Sequence, residues 1–457
     1  MTRRYAALVA LVAVFAFYFR AFFPGYLTAD TVYILNMAAG LEPVSNWHPN
    51  FNIWMNRQLL ALFEHIESIW LVQAAAWIGV AWLAASRLPH LHLPAFLLIT
   101  LLPPITANMA ASWKDDWAVI VTLATFAAAL WQRDVRLTVR SGSSNGAWYL
   151  TAPTLLVCVL GAAATAIRVD YLAIVGPIAV AAGWWLLDAW MGLRVSWVKK
   201  LAIAATVSLA SIIILKAVIG VVFAVEVERD RNPWATIAAW DIAGVAVRTD
   251  HQVDLLGQNF SGEDLKAGYN CRTSDPLFFG NFIMPGNPPQ EDLRFDLEDE
   301  SAEYRAAWVR AVTAEPGAYL AHRWCVITEY LGFGETVHYA YPFGAVANPY
   351  GLEFERSRAN IDLYFLYDAV TSDPIWRPWF WLLVATVSGA IVAATGAPLV
   401  GFALATSAWA SAARGLVLPA ADIRYALWIF VAGSVSLVAA LAYTRVWLER
   451  RAKTRRL

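Results

Sequence analysis

Long apolar runs separated by short charged segments dominate this chain of 457 residues. About ten of these runs approach the roughly 20 residues that a helix needs to cross a bilayer. Only 15% of the residues are charged, against roughly 25% in soluble proteins. We therefore predict an all-α polytopic membrane protein with about ten transmembrane helices. The expected spans are 5–23, 67–86, 94–111, 116–132, 148–167, 170–190, 201–225, 376–394, 396–413 and 424–444.

The basic residues of the short loops predict an orientation, because Lys and Arg accumulate on the cytoplasmic side of membrane proteins. With the N-terminus inside, the inner loops carry Arg87, Arg133 and Arg194, and the basic tail 445–457 also lies inside. The first apolar run has no small-residue cleavage site after it, so we interpret it as a retained span. These features predict a cytoplasmic (inner) membrane protein with both termini in the cytoplasm.

Three parts follow from this topology. Residues 1–225 form a seven-span module, 226–375 form a polar extracytoplasmic insert of mixed structure, and 376–457 contain three more spans and the basic tail. Within the insert, helical spacing of Trp and Tyr predicts one amphipathic helix from 303 to 330. The segment 51–66 is predicted to be a shorter helix at the membrane interface.

Cysteine usage and net charge limit the classes of partner. Cys271 and Cys325 both fall in the insert, where an oxidising compartment allows a disulfide, although two free thiols remain the alternative. Cys158 lies in an apolar run and is interpreted as a packing residue. The formal net charge of −1 argues against a nucleic-acid partner.

Charged and aromatic residues gather at the span ends on the predicted outer side. Charged groups next to hydrocarbon are costly and tend to face a bundle interior or a wet cavity. Several such clusters at one membrane level therefore predict a single cavity, with these residues as its candidate lining. The candidates are Asp30, His48, Lys114, Asp115, Asp116, Arg168, Asp170, Arg414, Arg424 and Tyr425.

Asp30 is the first candidate catalytic residue, because it closely follows the first span. A carboxylate in this position can act as a general base that takes the proton of an acceptor hydroxyl. The alternative is structural, since Asp is also a favoured N-cap for a following helix.

The run Lys114-Asp115-Asp116 opens the fourth predicted span and offers two interpretations. Acidic residues stabilise a helix N-terminus, which is the structural alternative. In the functional interpretation, a cation and a carboxylate bind a phosphate or a divalent ion. Neighbouring side chains on a helix point about 100° apart, so we expect one acid to face the cavity and select Asp115, beside Lys114, as the second catalytic candidate.

The remaining candidates are expected to bind substrate. His48 can orient a sugar, assist proton transfer or ligate a metal, or it can simply form a local hydrogen bond. Asp30, Asp115 and His48 are candidate ligands for a divalent cation, Mg or Mn, although no metal motif is present in the sequence.

The outer arginines also leave two interpretations open. Arg168, Arg414 and Arg424 can pair with Asp170 and Asp422. Equally, a planar guanidinium binds two oxygens of a lipid phosphate.

Together these segments resemble the GT-C superfamily of membrane glycosyltransferases, in particular bacterial members distantly related to protein O-mannosyltransferases and aminoarabinose transferases. The resemblance extends over most of the chain, although each motif is short. The carrying segments are Phe23-Pro-Gly-Tyr-Leu-Thr-Ala-Asp30, Asn46-Trp-His-Pro49, Ser112-Trp-Lys-Asp115, Ala166-Ile-Arg-Val-Asp170, Asp422-Ile-Arg-Tyr425 and the late outer-loop helix from Trp308 to Arg323.

The resemblance implies a GT-C-like fold with a seven-span module and an inverting transfer from a polyprenyl-phosphate sugar donor. It implies a catalytic Asp in the first outer loop, which Asp30 matches, and a second-loop acid that fits Asp115 or Asp116. The acceptor would be an extracytoplasmic glycan, lipid or protein. Several relatives carry Asn after the Arg of the third outer cluster, where this chain has Val169-Asp170, and this departure leaves the sugar and the acceptor open.

Two other classes of protein remain as alternatives. A transporter or flippase for lipid-linked sugars typically shows internal repeats and charged residues at mid-membrane depth. The sequence shows no repeats, and Lys216 is its only clear mid-span charge. A non-catalytic membrane scaffold would not need acids and arginines that converge on one outer cavity. The enzyme interpretation therefore predicts that these side chains meet in space.

Overall fold

The computed structural model is almost entirely helical, and it describes residues 2–139, 148–191, 196–229, 233–249, 253–255, 258–266, 269–274, 301–334 and 344–454. Its helices, numbered in chain order, are α1 Thr2–Phe22, α2 Ala29–Ala39, α3 Asn50–Phe63, α4 Glu67–Ser86, α5 His92–Leu101, α6 Pro103–Met109, α7 Lys114–Val139, α8 Trp148–Ile167, α9 Leu172–Met191, α10 Trp197–Val222, α11 Pro233–Thr249, α12 Gly262–Lys266, α13 Ser301–Ala314, α14 Pro316–Tyr330, α15 Arg358–Val370, α16 Pro378–Ala394, α17 Pro398–Ala413 and α18 Leu427–Thr454.

The long apolar helices make this an all-α, multi-pass membrane protein. Within the described residues, seven helices are long and apolar enough to cross a membrane: α1, α4, α7, α8, α9, α10 and α18. Every one of the ten predicted spans contains a helix, but some of these helices are shorter than the roughly 20 residues that cross a bilayer. The 17 residues of α16 and the 16 of α17 extend only about 26 and 24 Å at 1.5 Å per residue.

The predicted span 94–111 is broken. Its two helices, α5 and α6, meet at an angle of 61° around Leu102. Pro103 has no backbone N–H to continue the first helix, and it begins the second helix at a position where that N–H is not needed. Counting the bent pair as one span gives eight candidate spans.

Helix α18 lies at the centre of the bundle, where most of its apolar stretch is buried. Small residues let α16 and α17 approach each other and α18 closely, as is common between membrane helices. A Cβ atom on Gly401 would lie 2.1 Å from the carbonyl oxygen of Gly389, and one on Gly433 would lie 2.8 Å from that of Trp381. By contrast, α1 and α10 leave most of their apolar side chains exposed at the edge of the bundle.

The described part of the insert is helical apart from a two-stranded antiparallel hairpin, Val253–Leu255 paired with Gln258–Phe260. The predicted single helix 303–330 is wrong, because two helices meet at Glu315 and Pro316 begins the second one. Cys271 and Cys325 form a disulfide. The predicted helix at 51–66 corresponds to α3.

A buried polar cluster holds the insert together and fixes it to the bundle. The carboxylate of Asp241 contacts Nε2 of His322 at 3.0 Å and Nε of Arg323 at 2.7 Å. Nη1 of Arg323 donates to the carbonyl oxygen of Leu418 at 3.0 Å. The hydroxyl of Tyr330 donates to backbone carbonyls of the segments around α17 and α18. The insert therefore covers the same end of the bundle as the loop between α17 and α18.

Candidate active site

The loops before α2 and before α7 run side by side. The backbone N–H of Tyr26 donates to the carbonyl of Ala110 at 2.9 Å, and that of Ser112 donates back to the carbonyl of Tyr26 at 3.2 Å. Because each helix begins a few residues later, Asp30 and Lys114 lie at the same end of the bundle. The main chain thus brings two distant parts of the sequence together.

Thr28, and not Asp30, caps α2. Its side chain accepts the backbone N–H of Thr31 at 3.3 Å and the indole N–H of Trp113 at 2.9 Å. The structural alternative for Asp30 as an N-cap is therefore wrong, because that position is occupied two residues earlier. The carboxylate of Asp30 points instead towards the loop before α18.

Asp30 pairs with Arg424, which precedes α18. Nη1 of Arg424 lies 2.9 Å from Oδ2 of Asp30, and its Nε lies 3.1 Å from Oδ2 of Asp422. The guanidinium stacks over the rings of Trp113, at 5.2 Å, and Tyr425, at 5.0 Å. The side chain of Asp30 is 33% exposed, against 16% for Arg424. A substrate can therefore reach the carboxylate while the arginine is held in place.

A second ion-pair chain begins at Asp115. Its carboxylate is paired with Nη1 of Arg168, whose Nε donates to Asp170 at 3.0 Å. Asp170 in turn pairs with Nη2 of Arg414 at 2.5 Å. The guanidinium of Arg168 lies 4.8 Å from the centre of the Tyr425 ring. Because Arg424 contacts the same ring, Tyr425 joins the two ion-pair groups.

Lys114 and His48 form a third pair. Nζ of Lys114 donates to Nδ1 of His48 at 2.6 Å. His48 is buried, and burial lowers its pKa well below the usual value of 6.5, with the charge of Lys114 acting in the same direction. The imidazole is therefore neutral near pH 7. With Nδ1 as acceptor, the proton resides on Nε2, which is buried and without a hydrogen-bond partner among the described residues.

Asp116 is turned away from Asp115, as expected for adjacent residues of a helix. Its Oδ2 accepts Nε2–H of Gln73 at 3.2 Å, and the same amide donates to the carbonyl of Ala111 at 2.7 Å. Asp116 is fully buried at this contact. It joins α7 to α4, whereas the adjacent Asp115 belongs to the arginine cluster.

Three residues that contribute to the site were not among the candidate site residues, although Trp113 lies in a segment that carries the family resemblance. Trp113 and Tyr171 lie under the guanidinium groups of Arg424 and Arg414, the latter at 4.9 Å. Gln73 holds Asp116. The signals were an aromatic residue next to a charged one at each span end, and a single amide within the apolar run of α4.

The candidate metal ligands do not fit a cation site as arranged. Within the part of the chain that the structure describes, no group of three His, Cys, Asp or Glu side chains could hold a metal ion. Asp30 and Asp115 face guanidinium groups, and His48 accepts from Lys114. The arrangement instead presents several cations beside the partly exposed carboxylate of Asp30, which suits an anionic substrate.

No family model matches the sequence, and no curated protein matches it either. Its structural neighbours include two GT-C superfamily membrane glycosyltransferases. One is the archaeal oligosaccharyltransferase AglB from Archaeoglobus fulgidus, in complex with an inhibitory peptide and a dolichol-phosphate, at 12% identity and a TM-score of 0.43 over 99% of this chain. The chain spans about half, 52%, of the AglB chain.

The other neighbour is ArnT from Cupriavidus metallidurans in the apo state, at 13% identity and a TM-score of 0.33. It aligns with 97% of this chain and 78% of its own length. The structure of the chain itself establishes a helical, multi-pass membrane protein. Charged side chains from four loops, together with the neutral His48 of a fifth, gather at one end of its bundle.

Proposed function

We propose that the protein is an inverting glycosyltransferase that moves a sugar from a polyprenyl-phosphate donor to an extracytoplasmic glycan, lipid or protein acceptor. The observation that carries the proposal is the position of Asp30. Its carboxylate is partly exposed and pairs with Arg424. Arg424 and Arg168 both contact the ring of Tyr425. A base beside fixed cations at a membrane end suits a reaction whose leaving group is a lipid phosphate.

The cations would bind the donor phosphate. A guanidinium offers a planar pair of N–H groups that matches two phosphate oxygens, and that of Arg424 lies against two aromatic rings. Arg168 and Lys114 supply further positive charge at the same end of the bundle. Prearranged cations of this kind stabilise the charge that develops on a leaving phosphate.

Asp30 would act as the general base. In the resting protein its charge is balanced by Arg424, so an arriving donor phosphate would compete for that guanidinium and release the carboxylate. The acceptor hydroxyl oxygen then bonds to the anomeric carbon and its proton moves to Asp30. The bond from that carbon to the phosphate oxygen breaks with its electron pair, and attack from the opposite face inverts the anomeric configuration.

His48 would help to position the sugar. Its Nε2–H is buried without a partner among the described residues, and an unpaired buried donor is costly. A sugar hydroxyl is an acceptor of the right kind. Lys114 would hold the ring in the orientation that presents this donor.

The insert supports an extracytoplasmic location for this chemistry. Disulfides persist in oxidising compartments, and the Cys271–Cys325 bond lies in the unit that covers the same end of the bundle. Together with the basic inner loops, this favours the inner membrane, with both termini in the cytoplasm.

The decisive experiment is Asp30→Asn in the purified full chain. The assay follows release of polyprenyl phosphate from radiolabelled polyprenyl-phosphate hexoses and pentoses in the presence of membrane extract as acceptor. We expect a fall in transfer of at least about 100-fold, because general-base catalysis contributes 10²–10⁴. Donor binding should persist. Glu355→Gln, which alters an exposed acid, is the matched control, and full transfer by Asp30→Asn would refute the assignment.

A further inference from the structure

A second charged site lies at the opposite end of the bundle. Arg133 comes 19 residues after Lys114 on α7, which places it about 29 Å away along the helix. A cavity of about 820 Å³ lies at this end. It is lined by residues of α4, α7, α9 and α18 and of the turn between α16 and α17. This volume lies within the range of about 300–1,000 Å³ that is typical of ligand pockets.

Cations dominate the polar lining of this cavity. Among its described lining residues are four arginines, Arg87, Arg133, Arg136 and Arg450, and a single acid, Asp134. They come from three different helix ends, so their positive charges converge from several directions. Basic pockets between membrane helices on the cytoplasmic side are characteristic binding sites for anionic headgroups.

Arg133 is fixed in place with one donor group unused. Its Nε and Nη2 both donate to Oδ1 of Asp134, at 3.0 and 2.6 Å, and its guanidinium lies 5.6 Å from the Tyr443 ring. Nη1 is buried and has no hydrogen-bond partner among the described residues. A buried donor without a protein acceptor is costly, so a ligand that offers an acceptor oxygen to Nη1 would be favoured at this point.

Neighbouring cations have partial partners of their own. Arg87 reaches Asp134 only at 3.8 Å and is 36% exposed. Arg136 pairs with Asp188, which also accepts from Lys200 at 2.8 Å. Acids therefore balance part of the charge, and Arg87 and Arg450 remain available to a ligand from two sides of the cavity.

The remaining wall of the cavity is apolar and aromatic. Leu88, Trp184 and Leu399 lie on it beside the arginines. A small soluble anion needs no such wall. An amphiphile with a charged head and a hydrocarbon body matches both halves, and tryptophan is common where a headgroup meets the hydrocarbon.

We propose that this cavity binds the phosphate headgroup of an anionic membrane lipid. Nη1 of Arg133 would donate to one phosphate oxygen, while Arg87 and Arg450 approach others. A tetrahedral phosphate can accept from several guanidinium groups at once. The glycerol and the first carbons of the chains would lie along Leu88 and Trp184. The site is distinct from the one that contains Asp30, and it does not depend on the proposed transfer reaction.

The test uses the purified full chain in detergent and native mass spectrometry with added lipid. Phosphatidylglycerol should bind about tenfold more tightly than zwitterionic phosphatidylcholine. Arg133→Gln should weaken phosphatidylglycerol binding about tenfold, as expected for loss of a hydrogen bond to a charged group. Because Arg133 is largely buried, the double variant Arg87→Gln/Arg450→Gln, at more exposed positions, provides an independent measurement with the same expected direction.

Arg445→Gln is the matched control. Arg445 lies on the same helix α18, pairs with Glu449 at 3.1 Å and borders a separate, mostly apolar groove. Its substitution should leave lipid binding unchanged. Equal binding of the two lipids, or an unchanged affinity in both cavity variants, would overturn the proposal. So would inorganic phosphate at millimolar concentration displacing phosphatidylglycerol completely, since that result would assign the site to a soluble anion.

Discussion

The carboxylate of Asp30 and the guanidinium of Arg424 lie 2.9 Å apart although 394 residues separate them in the chain. Asp422 and two aromatic rings hold the same guanidinium. Arg424 is therefore the residue through which a phosphate at this site would influence the charge and the accessibility of Asp30.

Substitution of Arg424 should impair donor use more than any other cation change at this end. Arg424→Gln is expected to lower transfer by about 100-fold, since it removes a donor aimed at developing charge. Arg424→Lys should retain part of the activity, because the charge remains but the bidentate geometry is lost. The measurement is kcat and KM for the polyprenyl-phosphate sugar. Arg20→Gln, an exposed cation at the end of α1, should have little effect, and comparable losses in both variants would contradict the assignment.

Breaking the buried pair between Asp115 and Arg168 should destabilise the fold. Their side chains are 2% and 12% exposed, and loss of Asp115 leaves the buried Nη1 of Arg168 without its carboxylate, although Asp170 still pairs with Nε of the same guanidinium. Asp115→Asn is expected to cost about 3 kcal/mol, measured by denaturant unfolding in detergent. The double variant Asp115→Asn/Arg168→Gln should lose less than the sum of the single variants.

The control for this pair is on the surface. Arg358 and Asp362 form an exposed i,i+4 pair on α15, and Asp362→Asn should leave stability essentially unchanged. If Asp115→Asn were equally harmless, the buried pair would not contribute to the folded state.

Stability should decline on acidification through His48. Its pKa in the folded protein lies well below 6.5 because of burial and the charge of Lys114. The unfolded chain therefore binds the proton first, so stability is fully present above about pH 6.5 and falls as the pH drops from there towards the folded pKa. His48→Gln should flatten part of this slope in thermal unfolding scans between neutral and acidic pH. His65→Gln, at an exposed position, should leave the slope unchanged.

Loss of the disulfide should destabilise the insert without unfolding the helical bundle. The bond closes a loop with a sequence separation of 54 residues, and such cross-links typically contribute about 2–4 kcal/mol. Cys271→Ser/Cys325→Ser should expose the insert to limited proteolysis, as should reduction of the wild-type protein. Cys158→Ala changes the buried free thiol and should leave the cleavage pattern unaltered. A peptide map without a Cys271–Cys325 cross-link would contradict the pairing.

The sequence predicted the location of the site better than it predicted which of its residues pair with each other. Charged residues at span ends avoid hydrocarbon, so the gathering of Asp30, Lys114 and Arg168 at one end follows from hydropathy alone. Which cation meets which acid depends on how the helices pack. Lys114 pairs with His48 rather than with Asp115, and hydropathy contains no information about that choice.

The helix boundaries show the same limit. Pro103 and Pro316 are visible in the sequence, but whether a proline bends, breaks or begins a helix depends on its neighbours. The structure bends one predicted span by 61° and divides the predicted helix 303–330 into two. The short lengths of α16 and α17 likewise depend on local boundaries. Helix α16 begins after Arg377, Gly396 lies in the turn between the two helices, and α17 ends before Arg414.

The main-chain ladder that joins Tyr26 to Ala110 and Ser112 makes the geometry of this end tolerant of some mutations and intolerant of others. The backbone bonds themselves do not depend on which side chains the loops carry, so exposed positions can be exchanged, whereas Gly25, Thr28 and Trp113 cannot be exchanged freely because their own contacts help to place the two loops. One inserted residue between Tyr26 and Asp30 is another matter, because it would rotate the carboxylate by about 100° around its helix. Loop length, more than loop composition, is the property on which this arrangement depends.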